Sequence, residues 1–329
     1  MSWRPVAIWY VCMNPSAIFA ETLNVTFPVF AMVLLGVALK RLKWIDTAFI
    51  NTSSALVFRG AMPTLLFLSL IDADMSQALI PSLMAYLALA TVASFLLIWW
   101  WATRRVVVPE DRGVYVQAAF RGNGGIIGLA LAGSMYGQFG LSAGSVLVAT
   151  LIPLYNVLAV IVLAWYQPQA KTSWRSIGLK ILKNPLILSV VAGLSFAASG
   201  LALPSWLHTS GEYFANMTLP LALISIGGTM SMTAIREASG VALGASLMKM
   251  VWMPTATVLI AWLAGFEGRE LVLLFLFLGS PSAAASFVMA RAMGGNARLA
   301  ANTVAITTLA SSVTITLGIF ILQISGMAG

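Results

Sequence analysis

Phe120-Arg-Gly-Asn-Gly-Gly-Ile-Ile-Gly-Leu-Ala130 interrupts an apolar segment near its middle, where a bilayer would be deepest. Gly122, Asn123, Gly124 and Gly125 do not carry a helix easily, because each glycine gives up more backbone freedom on ordering than any other residue. A second apolar segment holds Leu278-Gly-Ser-Pro-Ser282, an interruption of the same kind, and Gly279 follows Gly122 by 157 residues. Two interrupted hydrophobic segments at corresponding positions in the two halves of a chain point to a binding site near the bilayer midplane.

The composition agrees with a lipid environment. Of 329 residues 60% are hydrophobic and 9% are charged, with a mean hydropathy of +0.94. Such a chain is an integral membrane protein and not a soluble domain. The net charge of +8 does not imply nucleic acid, because most Lys and Arg sit in short connections between apolar runs, where they set orientation. One cysteine, Cys12, excludes an intramolecular disulfide, and one histidine, His208, is read in a polar connector, so no metal or cofactor is expected.

Ten runs are long enough to cross a core of about 30 Å. They are Ile18 to Leu39, Thr47 to Ile71, Ala78 to Trp101, Val114 to Tyr136, Leu141 to Trp165, Asn184 to Leu203, Tyr213 to Ile235, Ala238 to Gly265, Leu271 to Ala290 and Asn302 to Ile324. The connections on one side carry thirteen Lys and Arg, from Lys40 and Arg41 to Arg291 and Arg298, against Arg4 and Arg269 on the other. The rule that cytoplasmic loops are basic therefore puts both termini outside. Residues 1–17 form an extension, 18–165 a first group of five spans, 166–183 a cytoplasmic linker and 184–325 a second group of five.

Five is odd, so the second group enters the membrane with the opposite polarity, and related halves would be inverted repeats. An offset of 157 residues places Pro28 on Pro185, Gly36 on Gly193, Pro63 on Pro220, Gly122 on Gly279 and Gly137 on Gly294. The same offset keeps the fourth span in register with the ninth. The expected fold is all-α, with ten transmembrane helices in two inverted five-helix repeats.

Three cations, Arg59, Arg121 and Lys249, fall inside spans two, four and eight, and no Asp or Glu lies centrally in any span. Each costs about 3 kcal/mol at a helix centre on insertion scales, so each should face the protein interior or a watery cavity. Two readings stand: potential for an anionic substrate, or snorkelling and pairing with carbonyls freed at the breaks. At the breaks, the second half of each helix begins with unpaired N–H groups carrying partial positive charge. The starts after Gly125 and after Pro281 would hold a carboxylate between them. Asn123 donates and accepts, Ser280 and Ser282 supply hydroxyls, and Gly122 and Gly124 admit close backbone approach. Ordinary kinks are the plain alternative at these positions, as they are at Pro28, Pro63, Pro153, Pro220 and Pro254.

Four stretches resemble the auxin efflux carrier family, whose bacterial branch includes malonate-transporter-like proteins. They are Phe120 to Ala130, Lys183-Asn-Pro-Leu-Ile-Leu188, Leu219-Pro-Leu-Ala-Leu-Ile-Ser-Ile-Gly-Gly228 and Ser280-Pro-Ser-Ala-Ala-Ala-Ser-Phe-Val-Met-Ala-Arg-Ala-Met-Gly-Gly295. The resemblance runs from about Ala17 over nearly the whole chain. It implies broken spans four and nine crossing at the substrate site, with Asn123 as the crossover asparagine and Pro281 as the proline of span nine. It also implies a scaffold of spans one, two, six and seven, an elevator-like displacement of the rest, and often a homodimer. Gly124 stands where many relatives carry Pro or a bulkier residue. The fold is also similar to that of bile acid sodium symporters, which hold sodium with acidic and amide side chains. Span nine here has no Asp, Glu, Asn or Gln, so sodium coupling is less expected, with backbone carbonyls as the remaining ligands; no acid at depth supports a carboxylate proton relay either, and proton coupling stays open.

The expected function is transport of a small organic anion across the cytoplasmic membrane, with Asn123, Gly122, Gly124, Arg121, Ser280, Pro281, Ser282, Arg59 and Lys249 as substrate-site residues. The nearest alternative is a sodium-coupled symporter of a larger amphipathic acid. An intramembrane enzyme would need a nucleophile with a base or metal ligands at depth, and the spans lack His, Cys and central acids. A sensor that binds the anion without moving it shares every feature so far described.

Overall fold

Inside lipid a backbone must satisfy its own polar groups, which leaves helices or closed barrels. The described residues take the first route. The computed structural model describes residues 15–73, 79–166, 182–230 and 239–328, with Leu179 and Arg236. The expected N-terminal extension lies outside these up to residue 14, as do most of the linker expected over 166–183 and the last residues of the seventh expected span.

Twelve helices are named here: α1 (Pro15–Arg41), α2 (Thr47–Ile71), α3 (Pro81–Arg105), α4 (Pro109–Phe120), α5 (Gly124–Tyr166), α6 (Pro185–Ser199), α7 (Ser205–Asn216), α8 (Thr218–Thr229), α9 (Gly240–Leu263), α10 (Gly268–Leu278), α11 (Ala285–Ala292) and α12 (Ala297–Ile324). Among the described residues six of them, α1, α2, α3, α5, α9 and α12, are long and apolar enough to cross a membrane, and α6 is shorter and apolar. Helix starts follow local chemistry. Asp46 Oδ1 accepts from Phe49 N at 2.7 Å and Asn296 Oδ1 from Leu299 N at 3.0 Å, while prolines open α3, α4 and α6.

The second half of the fourth expected span and the whole of the fifth form one helical run broken at Gly137, whose φ of 55° and ψ of −132° are non-helical. A straight helix would hold Ala132 and Gly140 about 12 Å apart. Instead a Cβ on Gly140 would fall 1.9 Å from the Ala132 carbonyl oxygen, so the chain doubles back and α5 is a hairpin with arms 124–136 and 138–166. The seventh span begins earlier than expected, at Ser205. His208 is consequently in helix α7 and not in a connector, and its Nε2 bonds Asp72 Oδ1 at the end of α2 at 2.9 Å.

Helices approach through small residues, as apolar solvent requires. A Cβ on Gly227 of α8 would lie 1.9 Å from Val33 O of α1, and Gly193 of α6 meets Phe67 and Leu70 of α2. Thus α1 packs on α8, and α2 on α6 and α7. A buried serine pair, Ser53 with Ser225 at 2.9 Å, ties α2 to α8. The remaining helices enclose α10, whose Leu271, Val272, Leu273, Leu274, Leu276, Phe277 and Leu278 are wholly buried. A helix apolar on every side belongs inside a bundle. Leucines such as Leu34, Leu89, Leu97 and Leu188 are exposed, as lipid-facing residues are. Arg104 and Arg105 stack on Trp100 and Trp101 at 4.8 and 5.1 Å, an interfacial anchor at the end of α3.

Candidate functional site

Helix α4 stops at Phe120 and α10 at Leu278, and the chain between each stop and the next helix is extended enough to pair with the other. Gly122 and Ser282 form an isolated antiparallel bridge. Asn123 N donates to Pro281 O at 2.7 Å, and Ala283 N donates to Arg121 O at 3.1 Å. Each break thereby supplies the main-chain partner that the other lost when its helix ended. The site is tight at Gly122, where a Cβ would lie 3.0 Å from Lys249 Nζ and 3.3 Å from Phe277 O.

The serines of the second break are committed to this frame. Ser280 Oγ donates to Leu276 O at 2.6 Å, Ser282 Oγ donates to Ala118 O, and Ser282 N donates to Thr307 Oγ1 at 3.1 Å. Both serines are buried. Pro281 presents its carbonyl to Asn123, and Gly124 faces the Phe277 ring.

A cavity of about 420 Å³ lies between the crossing and the bundle of α2, α6 and α8. Arg121, Gly122, Asn123, Gly125 and Tyr155 line it from the crossing side, and Val57, Phe58, Met62, Leu186 and Ser225 from the other. Ala283, Ala284 and Ala285 bring the start of α11 to its wall, opposite the start of α5 at Gly124 and Gly125. First-turn amides have no acceptor within their helix and carry partial positive charge.

Arg121 is the charged side chain of this lining, 8% exposed. Its Nη2 donates to Asn156 Oδ1 at 3.0 Å and its Nη1 to the Met289 sulfur. Among the described residues Arg121 forms no ion pair with a carboxylate. The Asn123 side chain caps nothing at the start of α5. Tyr155, 4% exposed and edge-on to Phe120 at 5.7 Å, has a buried hydroxyl with no hydrogen-bond partner. The Tyr155 hydroxyl lies near Gly122 and Arg121 at the crossing.

Of the residues singled out in the sequence, Arg121, Gly122 and Asn123 line the cavity. Gly124, Ser280, Pro281 and Ser282 belong to the crossing frame behind it. Lys249 is wholly buried beneath the crossing, and Arg59 is exposed on the π turn Val57–Ala61 of α2, outside the lining. Tyr155 and Asn156 escaped notice. The signal was available: an adjacent tyrosine and asparagine in the middle of an apolar run, two residues after Pro153. Among the described residues no group of three His, Cys, Asp or Glu side chains could hold a metal.

Residues 23–319 match the family described as membrane transport protein. The chain belongs to that family. This is the auxin efflux carrier family to which the four motifs pointed. Among similar proteins, an uncharacterized transporter of Methanothermobacter thermautotrophicus is 24% identical over 290 residues, 83% of this chain and 89% of the relative. An uncharacterized transporter of Methanocaldococcus jannaschii is 25% identical over 213 residues, 63% of this chain and 68% of the relative. As a family member the chain is a multi-pass membrane transporter.

Proposed function

We propose that this chain is a secondary transporter that carries a small organic carboxylate across the cytoplasmic membrane. The observation that carries the reading is the cavity at the crossing, which Arg121, Asn123 and Tyr155 line and to which no acidic side chain contributes. A carboxylate is an acceptor at both oxygens, and the start of α5 adds dipole to the same spot. Desolvating the substrate is offset by an interaction with a cation that is already out of water.

The cavity also supports alternating access. One wall belongs to the crossing and the other to α2, α6 and α8, so displacement of one group past the other carries a bound anion with it. The reading includes ten spans in two inverted repeats, 18–165 and 184–325, joined by a cytoplasmic linker at 166–183, with both termini outside. Register between the two breaks, and between Pro63 of α2 and Pro220 of α8, supports it. A homodimer remains part of the reading on the resemblance alone, and the coupling ion is left open.

A second reading has one observation in its favour. Val57, Phe58, Met62, Ile126, Leu151 and Val288 make the lining largely apolar, which suits an acid with an apolar body and a single carboxylate. A sodium-coupled symporter of an amphipathic acid would fit that wall.

Thermal stability of the purified protein against mono- and dicarboxylates and their neutral amides, each in sodium and in potassium, separates the readings, because a ligand that binds the folded state raises its melting temperature. An uncoupled or proton-linked anion carrier is stabilised by one carboxylate series in either cation, and Asn123→Ala loses the effect. Stabilisation that requires sodium transfers the chain to the symporter. Equal stabilisation by acids and amides overturns the anion site.

A further inference from the structure

Lys249 has no part in the cavity, and its surroundings are those of an ion. It sits on the π turn Met248–Trp252 of α9, is 0% exposed, and is among the largest wholly buried side chains. A π turn admits an extra residue and commonly marks a functional position. Lys249 Nζ donates to Leu278 O, the last residue of α10, at 2.7 Å. The point where a Cβ of Gly122 would stand is 3.0 Å from Nζ, 3.3 Å from Phe277 O and 3.4 Å from Ser280 O. The Leu278 carbonyl thus bonds the ammonium, and the Phe277 and Ser280 carbonyls lie near the same point against Gly122, beneath the crossing.

The chemistry of that cluster is specific. The last carbonyls of a helix lack intrahelical donors and carry partial negative charge, and α10 ends in the protein interior where water cannot supply donors. Carbonyls at the end of an interrupted helix are the ligands that hold a free sodium ion in many carriers. Here no carboxylate joins them: among the described residues Lys249 forms no ion pair.

We propose that Lys249 is a tethered cation: its ammonium fills a monovalent-cation site built from the carbonyl end of α10, so that a fixed charge stands where a free ion would otherwise bind. The carbonyl cluster is the site, and the side chain of α9 is its resident ligand. Lys249 therefore positions the crossing without touching substrate.

The test removes the tether and supplies the ion. Melting temperature is measured without any organic anion, so that the outcome does not depend on the anion site, in choline chloride at fixed ionic strength. Wild-type protein is expected to melt at the same temperature when sodium replaces choline. Lys249→Ala, which lacks the volume of one n-propylammonium, is expected to fall by roughly 5–10 °C in choline. n-Propylammonium restores it saturably, with sodium restoring part, and n-propanol of equal size does not. Lys249→Met fills the space without charge and is expected to be as unstable as Lys249→Ala, with no recovery.

Three results overturn the proposal: a saturable rise of the wild-type melting temperature with sodium, recovery of Lys249→Ala by n-propanol equal to that by n-propylammonium or by neither, and a Lys249→Met protein as stable as wild type. If Lys249→Ala does not survive purification in choline, it is purified in n-propylammonium throughout. Monodisperse protein there and not in n-propanol supports the tethered cation, and aggregation in both rejects it.

Discussion

At the scale of single residues, the cavity separates groups that wait for a ligand from groups that hold the frame. Tyr155 and Arg121 differ in what the empty protein asks of them. The Tyr155 hydroxyl bonds nothing, so Tyr155→Phe is expected to leave the melting temperature of unliganded protein unchanged or slightly raised, because it removes an unsatisfied buried group. Its carboxylate affinity should fall by about 2- to 10-fold, the worth of one neutral hydrogen bond. Arg121→Gln loses a charged donor and should weaken the same carboxylate by about 10- to 100-fold. Titration of the ligand against melting temperature measures both, and a Tyr155→Phe protein as weak in binding as Arg121→Gln contradicts this division of roles. The sequence disclosed Arg121, Gly122 and Asn123 because they lie in the break itself. Tyr155 stayed hidden because its importance depends on the hairpin of α5, which folds a distant turn against Phe120.

At the scale of elements, glycine has two distinct duties here. Gly227 permits α1 and α8 to touch, and a methyl group there would meet Val33 O at 1.9 Å, a backbone atom that cannot step aside. Gly137 turns the α5 hairpin with a φ of 55°, and a Cβ there would meet nothing within 4 Å. Gly227→Ala is therefore expected to prevent recovery of monodisperse protein, or to lower its melting temperature by well over 10 °C. Gly137→Ala should cost only the backbone strain, roughly 1–3 kcal/mol. Size-exclusion profile and melting temperature in one detergent compare the two, and similar stability would contradict the packing of α1 on α8. Element boundaries were largely readable: α2 spans the expected Thr47 to Ile71, and the glycines near 137 announced the hairpin. The early start of α7 was not, because Ser205 to Asn216 mixes His208, Glu212 and serines with aromatics and carries no long apolar signal.

At the scale of the whole molecule, the cavity wall is divided between two groups of helices that the proposed mechanism slides past each other. With Cys12→Ser as background, Ser225→Cys on α8 and Ala284→Cys beside α11 place two thiols on opposite walls of one cavity. Bridging them with mercury or a short bis-thiosulfonate should arrest transport in proteoliposomes, and reduction should restore it. Undiminished transport by the bridged protein contradicts the displacement. That the chain is a helical membrane protein was legible from hydropathy, and the two breaks marked the segments that pair. The details of the crossing were not, because main-chain pairing between residues 160 positions apart leaves little trace in side-chain identity. That same pairing has a consequence for how such a protein changes over time. A frame closed by N–H to C=O bonds between Arg121, Asn123, Pro281 and Ala283 is joined through main-chain atoms, so an exchange of the side chain at Asn123 or Tyr155 leaves those bonds in place. On the proposed reading, a change of cargo then needs a few exchanges at those positions and none in the main-chain frame.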